Sequence, residues 1–149
     1  VLKEILALVD TAFINELDIA LLLGTKVEDR ADALPRAFDA FPELTTIAAT
    51  KREQESVSDQ ILTGELYTRK GKWTSRPHSM ASVIDRIGGG DAFAAGVLHG
   101  LIEGFDPLHT IEFATTASAI KHSIPGDWNL TSFEEVEEAI NETGLDVRR

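Results

Sequence analysis

Three consecutive glycines stand between a strand-like segment and a long apolar helix, and this arrangement constrains the fold more than any other part of the sequence. Ser82–Ile84 is strand-like, Gly88–Gly90 follow after three further residues, and Ala92–Ile102 is apolar except for His99. Glycines allow a tight turn and let a ligand approach the peptide N–H groups closely. The first N–H groups of a helix have no internal partners and lie at the positive end of its dipole. The segment therefore predicts an anion-binding turn made of backbone.

Asp91 follows the glycines directly and carries the only side-chain charge from Gly88 to Gly100. A carboxylate there can accept the proton of an attacking hydroxyl, while the turn stabilises the charge that develops in phosphoryl transfer. The alternative is that Asp91 only caps the helix and the glycines only form a turn. The sequence lacks the Gly-Lys-Ser/Thr ending of a Walker loop, and Phe93 stands where a Rossmann fingerprint needs its last glycine.

Helix-like and strand-like segments alternate along the first fifty residues, which predicts an α/β protein with a parallel sheet covered by helices. The predicted segments are helix Val1–Val9, strand Thr11–Ile14, helices Glu16–Leu23 and Asp29–Phe41, and strand Leu44–Thr50. Residues 53–82 predict a hairpin or an elaborated connection with turns at Gly64 and Gly71. A helix from Pro107 to His122 and a last helix capped by Ser132 follow.

Composition and charge exclude several classes of protein. The 149 residues are 43% hydrophobic and 26% charged, with a formal net charge of -11 and no cysteine. This charge argues against a nucleic-acid partner, because phosphate backbones require clustered Lys and Arg. The lack of cysteine excludes disulfides and Cys-ligated metals and predicts a reducing, cytoplasmic setting. No apolar run approaches the roughly 20 residues of a membrane span. The start inside a helical pattern, without Met, indicates a fragment.

The segment Asp85–Gly96 resembles the second signature of the ribokinase-like (PfkB) sugar kinases, D-T-x-G-A-G-D-x-F. Its Asp-Arg start and triple glycine depart from the commonest form and are similar to the version in 2-keto-3-deoxygluconate kinases. Other stretches also resemble that branch: Val9-Asp10 with Asn15–Asp18, Phe41–Leu44, Lys51–Glu53, Ile111–Ala114 and Lys121–Asn129. The resemblance covers nearly the whole chain.

The resemblance implies a three-layer, ribokinase-like α/β fold with a mostly parallel sheet. Residues 1–149 would form its C-terminal, nucleotide-binding and catalytic half, without the N-terminal part of the core and the β lid over the sugar. The full-length parent is expected to be a homo-oligomer, because the lid often pairs in this family. The partners are a small sugar acid and ATP, with no nucleic acid and no membrane.

The implied reaction is the ATP-dependent phosphorylation of 2-keto-3-deoxygluconate to its 6-phosphate. The resemblance makes Asp91 the base that contacts the sugar hydroxyl, and Gly88, Gly89 and Gly90 the anion hole. Another sugar, such as fructose or ribose, is the alternative substrate. In an alternative of a different class, the chain is a truncated nucleotide-binding module without turnover. The isolated fragment is expected to be inactive.

The stretch Asn15-Glu16-Leu17-Asp18 falls where the family carries N-x-x-E, which organises Mg²⁺ near the phosphates. The resemblance therefore implies a metal role for Asn15 and Asp18, although Asp18 is one methylene shorter than the family's Glu. The alternative is an Asn helix cap followed by acidic residues of the first turn.

The resemblance also assigns residues to ATP. Thr50 and Arg52 lie at a strand end where the family contacts ATP, and Gly88 and Gly90 face its phosphates. Ala117 lies on a helix similar to the one that lines adenine. An exposed strand end and plain helix packing are the alternatives at these positions.

Two features of the resemblance concern the loop around Gly126. Asp127 matches a position near the keto-acid sugar, with an ordinary surface turn as the alternative. Asp85 and the same loop are an expected site for K⁺, as in some relatives.

Overall fold

The computed structural model describes residues 1–54, 60–80 and 83–146. Their elements, in chain order, are α1 (Leu2–Leu6), β1 (Thr11–Phe13), α2 (Glu16–Leu23), α3 (Arg30–Ala40), β2 (Thr46–Gln54), β3 (Gln60–Thr68), β4 (Gly71–Thr74), β5 (His78–Met80), α4 (Gly89–Glu103), α5 (Pro107–Lys121) and α6 (Phe133–Asp146). Within these ranges, no helix combines the length and the apolar character needed to cross a bilayer.

The strands form one sheet with the order β1-β2-β3-β4, and β5 pairs with β3. The β1–β2 pair is parallel, with Thr11 opposite Thr46, whereas the β3–β5 pair is antiparallel, with Leu62 opposite His78. The sheet is therefore mixed and is accompanied by helices, which confirms the predicted α/β class. The predicted hairpin is the β3–β4 pair, which turns at residues 69–70.

The chain divides into two compact units, of which the first comprises Val1–Ala49 and Leu66–Lys72. Its core includes Ile19 of α2, Ala33 of α3 and Ile47 of β2, each at most 1% exposed. Local capping defines its helices: Gly24 ends α2 in the left-handed conformation, and the Asp29 carboxylate caps α3 by accepting the Asp32 N–H at 2.9 Å. Both helices lie where the sequence predicted them.

The second unit comprises Thr50–Glu65 and Trp73–Arg149 and contains α4, α5 and α6. Helices α4 and α5 approach closely, since a Cβ on Gly96 would lie 2.6 Å from the Ala114 Cα atom. Helix α6 packs on α5 through Val136 against Phe113 and Ala117. The predicted cap of α6 is present, because the Glu135 N–H donates to Ser132 Oγ and the Glu135 carboxylate accepts from the Ser132 N–H.

Two local predictions in the second unit are wrong. Of the predicted strand Ser82–Ile84, Ser82 lies outside the described residues, and Val83 and Ile84 are irregular. The Ile84 N–H donates to the His122 carbonyl at 2.9 Å instead of to a strand. Gly64 lies inside β3 rather than in a turn. A Cβ there would overlap the Thr115 side chain of α5, so the glycine permits a close helix crossing.

Candidate active site

The turn before α4 presents backbone N–H groups that no described residue satisfies. Gly88 is the N-cap of α4 with φ +79°, and α4 itself begins at Gly89. The N–H groups of Gly90 and Asp91 have no hydrogen-bond partner within the described residues, and both residues are exposed. Unpartnered amides at the positive end of a 15-residue helix can bind an anion. Of the predicted anion hole Gly88–Gly90, the Gly90 N–H is thus open, whereas the Gly89 N–H donates to the Arg86 carbonyl.

Asp91 is the third residue of α4 and does not cap the helix. The N-cap position belongs to Gly88, which offers no side-chain cap. The Asp91 carboxylate is exposed and has no hydrogen bond or ion pair to any residue that the structure describes. The alternative in which Asp91 only caps the helix is therefore wrong, and its carboxylate is free to contact a ligand beside the amides.

The three glycines of the turn have different surroundings. A Cβ at Gly88 would overlap the Asp127 carbonyl oxygen, and one at Gly89 would lie 2.5 Å from His122 Cε1. A Cβ at Gly90 would meet no atom of the described residues within 4 Å. Gly88 and Gly89 are thus required by tight packing beneath the turn, whereas Gly90 faces open space from which a ligand can approach. Gly89 occupies the place of Ala in the signature that the segment resembles, and the His122 ring explains the missing methyl group.

Asp85 joins the turn to the loop after α5. Its Oδ1 atom accepts the Ile87 N–H and its Oδ2 atom accepts the Gly126 N–H, both at 2.9 Å. These backbone hydrogen bonds lower the pKa of Asp85 below 3.8, because they stabilise the carboxylate. The contact of Gly88 with the Asp127 carbonyl lies at the same junction. The Asp127 backbone therefore lies beside the turn with its side chain exposed, and its role near the sugar stays a prediction.

His122 is a buried residue of the site that the sequence analysis did not single out. Its Nδ1 atom lies 2.6 Å from the Ser118 carbonyl, and its Nε2 atom lies 3.1 Å from Arg52 Nη2. A carbonyl only accepts and a guanidinium only donates, so the ring is neutral with the proton on Nδ1. Burial first, and then the charges of Arg52, Lys121 and Arg86, lower the pKa of His122 below 6.5, against the Ser118 hydrogen bond, which raises it. Three cationic side chains therefore act on one ring beside the turn, although the chain is strongly acidic.

The neutral state of His122 predicts a pH-dependent stability. Below about pH 6.5 the unfolded chain binds a proton on this residue that the folded protein resists, so the free energy of unfolding falls as the pH drops from about 7 to 5. Urea unfolding of the wild type and of His122→Gln across this range measures the effect. The free energy of unfolding of the variant should fall less over this range. The fall that remains is expected from His78, whose pKa is also lowered by burial.

His109→Gln is the matched control, because His109 is a partly exposed histidine that pairs with Glu137 instead of with cations. It should not reduce the fall in stability. A His122→Gln variant with the full wild-type pH dependence would contradict the neutral, buried state of this ring.

Thr50 and Arg52 lie within β2, which continues to Gln54 rather than ending at Thr50. Arg52 reaches the site through His122, and burial together with Arg86 lowers the pKa of its guanidinium. Thr50 is partly buried. Residues 55–59, which follow this strand, lie outside the described residues. The structure thus brings Arg52 to the junction of the turn and α5, and gives Thr50 no such contact among the residues it describes.

Ala117 lines a cavity of about 220 Å³ in the second unit. Its walls come from α4, α5, α6 and the segment that leads into α6, and include Gly96, Phe113, Asn129 and Phe133. Ligand pockets usually reach about 300–1,000 Å³, so this one suits a single flat ring rather than a whole nucleotide. Ala117 therefore lines a cavity the size of a single ring, helix packing also explains why it is buried, and its contact with adenine stays a prediction.

Asn15 and Asp18 form the capping box of α2 in the first unit. Asn15 Oδ1 accepts the N–H groups of Leu17 and Asp18, and Asp18 Oδ2 accepts the Asn15 N–H. Asp18 Oδ1 keeps no partner within the described residues and is exposed. One free carboxylate oxygen fits a hydrated Mg²⁺, which binds through few protein ligands and retains several waters. No group of three or more His, Asp or Glu side chains suited to a metal occurs in the described ranges.

The fold places the chain among the ribokinase-like α/β proteins, as comparison with solved structures shows. A PfkB family carbohydrate kinase from Listeria grayi is 33% identical with a TM-score of 0.87, over 94% of this chain and 43% of that one. The 2-dehydro-3-deoxygluconokinase of Thermotoga maritima is 30% identical with a TM-score of 0.84, over 95% of this chain and 44% of that one. Residues 1–130 match the pfkB family carbohydrate kinase profile, and the chain belongs to this family.

A curated relative carries the name of a different sugar acid. The 5-dehydro-2-deoxygluconokinase of Clostridium perfringens is 31% identical over 77 residues, which are 50% of this chain and 22% of that protein. The chain spans less than half the length of the two solved structures, and the matched region is under a quarter of the Clostridium protein.

Proposed function

We propose that the protein carrying this sequence transfers the terminal phosphoryl group of ATP to a hydroxyl of a keto-deoxy sugar acid. One observation carries the proposal: the free Asp91 carboxylate lies on the same helical turn as the unpartnered amides of Gly90 and Asp91. Membership of the pfkB family supports it. The pairing meets the two needs of the reaction, which are a proton acceptor and a preformed anion site.

Each part of the turn has a distinct role in this mechanism. Asp91 takes the proton of the substrate hydroxyl while the alcohol oxygen bonds to phosphorus and the bond to the ADP oxygen breaks. The open amides of Gly90 and Asp91, at the end of the Gly88–Gly90 turn, stabilise the negative charge on the phosphoryl oxygens. Asp127, at the same junction, is proposed to accept a hydrogen bond from a sugar hydroxyl. Removing one such amide donor typically costs about 3–4 kcal/mol of transition-state stabilisation.

The nucleotide is proposed to bind along the second unit. Arg52, held by His122, adds positive charge near the phosphates, Thr50 contacts the same part of ATP, and the cavity at Ala117 takes the base. Asn15 and Asp18 are proposed to hold Mg²⁺ through water, and Mg²⁺ when bound neutralises phosphate charge.

The identity of the sugar is tested by a substrate panel. The protein carrying this sequence is assayed with ATP and each of 2-dehydro-3-deoxygluconate (2-keto-3-deoxygluconate), 5-dehydro-2-deoxygluconate, fructose and ribose. We expect the largest kcat/KM for 2-dehydro-3-deoxygluconate, because the Thermotoga structure matches nearly the whole chain whereas the Clostridium sequence matches half.

A larger kcat/KM for 5-dehydro-2-deoxygluconate would favour the activity named in the Clostridium relative. A preference for fructose or ribose would contradict a sugar-acid substrate. The absence of phosphorylation with all four sugars, together with heat from ATP binding in calorimetry, would favour a nucleotide-binding module without turnover.

A further inference from the structure

Lys121, the last residue of α5, is a fully buried cation whose partners are backbone carbonyls. Its side chain is 0% exposed, and Nζ donates to the carbonyls of Ile124 at 2.9 Å and Gly126 at 2.6 Å. Burying an ammonium is costly unless hydrogen bonds or an opposite charge compensate it. No carboxylate lies within ion-pair distance of Nζ in the described residues, so carbonyl oxygens provide its direct contacts.

The position of this ammonium links two parts of the proposed site. A Cβ at Gly88, the N-cap of α4, would lie 3.0 Å from Lys121 Cε, so the side chain passes directly beneath the anion-binding turn. The Gly126 peptide is held on both sides, because its carbonyl accepts from Lys121 and its N–H donates to Asp85. The Asp85 charge interacts favourably with Lys121 as well. Lys121 therefore holds the Ile124–Asp127 loop against the turn through these hydrogen bonds.

The carbonyl oxygens that contact Lys121 are the ligands that a K⁺ ion would need at the Gly126 loop. Potassium binds where carbonyl oxygens replace its hydration shell. The expected K⁺ site comprised Asp85 and the Gly126 loop, yet the Ile124 and Gly126 carbonyls already surround a positive charge. Both Asp85 oxygens accept backbone N–H groups. The donor set at this junction therefore does not fit an additional K⁺ ion.

We propose that the Lys121 ammonium takes the place of a monovalent cation, so that the protein positions its anion-binding turn without K⁺. Lys121 is a positioning residue in this scheme, since it acts through the Gly126 loop and Gly88. Its consequence for catalysis rests on the proposed kinase function, whereas the cation dependence of stability does not.

The first experiment compares unfolding temperatures in potassium, ammonium and tetramethylammonium chloride at equal ionic strength. The wild type should have the same Tm in all three salts. Lys121→Ala leaves a space lined by carbonyls, and we expect its Tm to be lowered in tetramethylammonium and partly restored by K⁺ or NH₄⁺. Lys70→Ala, which removes an exposed lysine in the β3–β4 turn, is the matched control and should show no salt preference.

The second experiment measures ATP-dependent phosphorylation in the same salts. Wild-type kcat should not depend on K⁺, and Lys121→Ala should lose about tenfold or more in tetramethylammonium, the scale expected for losing hydrogen bonds to a charged group. Potassium or ammonium should recover part of that loss. A merely structural lysine would give a loss that no small cation restores.

Two results would overturn the proposal. One is a wild type that K⁺ activates or stabilises specifically, a measurement that needs no variant. The other is a folded Lys121→Ala protein that responds equally to all three salts. If none of the proteins phosphorylates any sugar while the Tm pattern appears as expected, the proposed kinase function fails and the role of Lys121 as a built-in cation stands.

Discussion

Replacing Asp91 with Asn is expected to lower kcat for phosphorylation of the preferred sugar by about 10²–10⁴-fold. Asparagine keeps the shape of the side chain but cannot accept the proton of the attacking hydroxyl. The carboxylate has no partner within the described residues, so its loss removes no hydrogen bond from the fold. The free energy of unfolding should therefore change by less than about 1 kcal/mol, the usual scale for a charge at a helix N-terminus.

Steady-state kinetics and urea unfolding on the same protein preparations separate these two effects. Glu103→Gln is the matched control, because Glu103 is an exposed carboxylate at the opposite end of the same helix. It should retain wild-type kcat. An Asp91→Asn enzyme with the wild-type rate would rule out Asp91 as the base, and a large loss of stability would mean that the carboxylate supports the fold instead.

Replacing Gly88 with Ala is expected to have the largest structural effect of any glycine substitution in the turn. The residue has φ +79°, which costs an L-residue about 1–2 kcal/mol. Its new methyl group would also overlap the Asp127 carbonyl and press on Lys121, and overpacking of this kind costs about 1–3 kcal/mol. We expect a combined destabilisation of about 2–5 kcal/mol and a loss of phosphate binding, since the loop must move away from the turn.

Gly104→Ala provides a control with the same backbone strain and no steric overlap. Gly104 ends α4 at φ +74°, and a Cβ there would meet nothing within 4 Å. This substitution should lower the free energy of unfolding by about 1–2 kcal/mol. Equal destabilisation of the two variants in urea unfolding would show that the contact with the Asp127 carbonyl contributes nothing.

Local sequence signals predicted the features whose causes are local. Gly24 and Ser132 mark helix ends through hydrogen bonds within a few residues, and each cap is present. The open amides beside Asp91 also have a local cause, because the three glycines before the apolar helix offer no side chain to its first N–H groups. Such features depend on neighbours along the chain, which a single sequence displays directly.

The remaining features depend on contacts between distant segments. The Arg52–His122 contact joins residues 70 positions apart. A glycine is needed at position 64 because the Thr115 side chain of α5 lies where a Cβ would be. The irregular backbone at Ile84 arises because its N–H group bonds to the end of α5 instead of to a strand. No periodicity records these contacts, so His122 and Lys121 could not be recognised as parts of the site. The metal role of Asn15 and Asp18 stays a prediction, since their cap accounts for both residues.

The close packing of Gly89 against His122 limits the order in which amino-acid substitutions can occur at this turn. A methyl group at Gly89 needs the space that the imidazole ring occupies, while the ring also accepts from Arg52. A chain that acquired alanine at this position would first have to exchange the histidine for a smaller side chain and so release the arginine. Positions 89 and 122 can therefore be substituted only together. The Arg52 guanidinium would then need another hydrogen-bond partner.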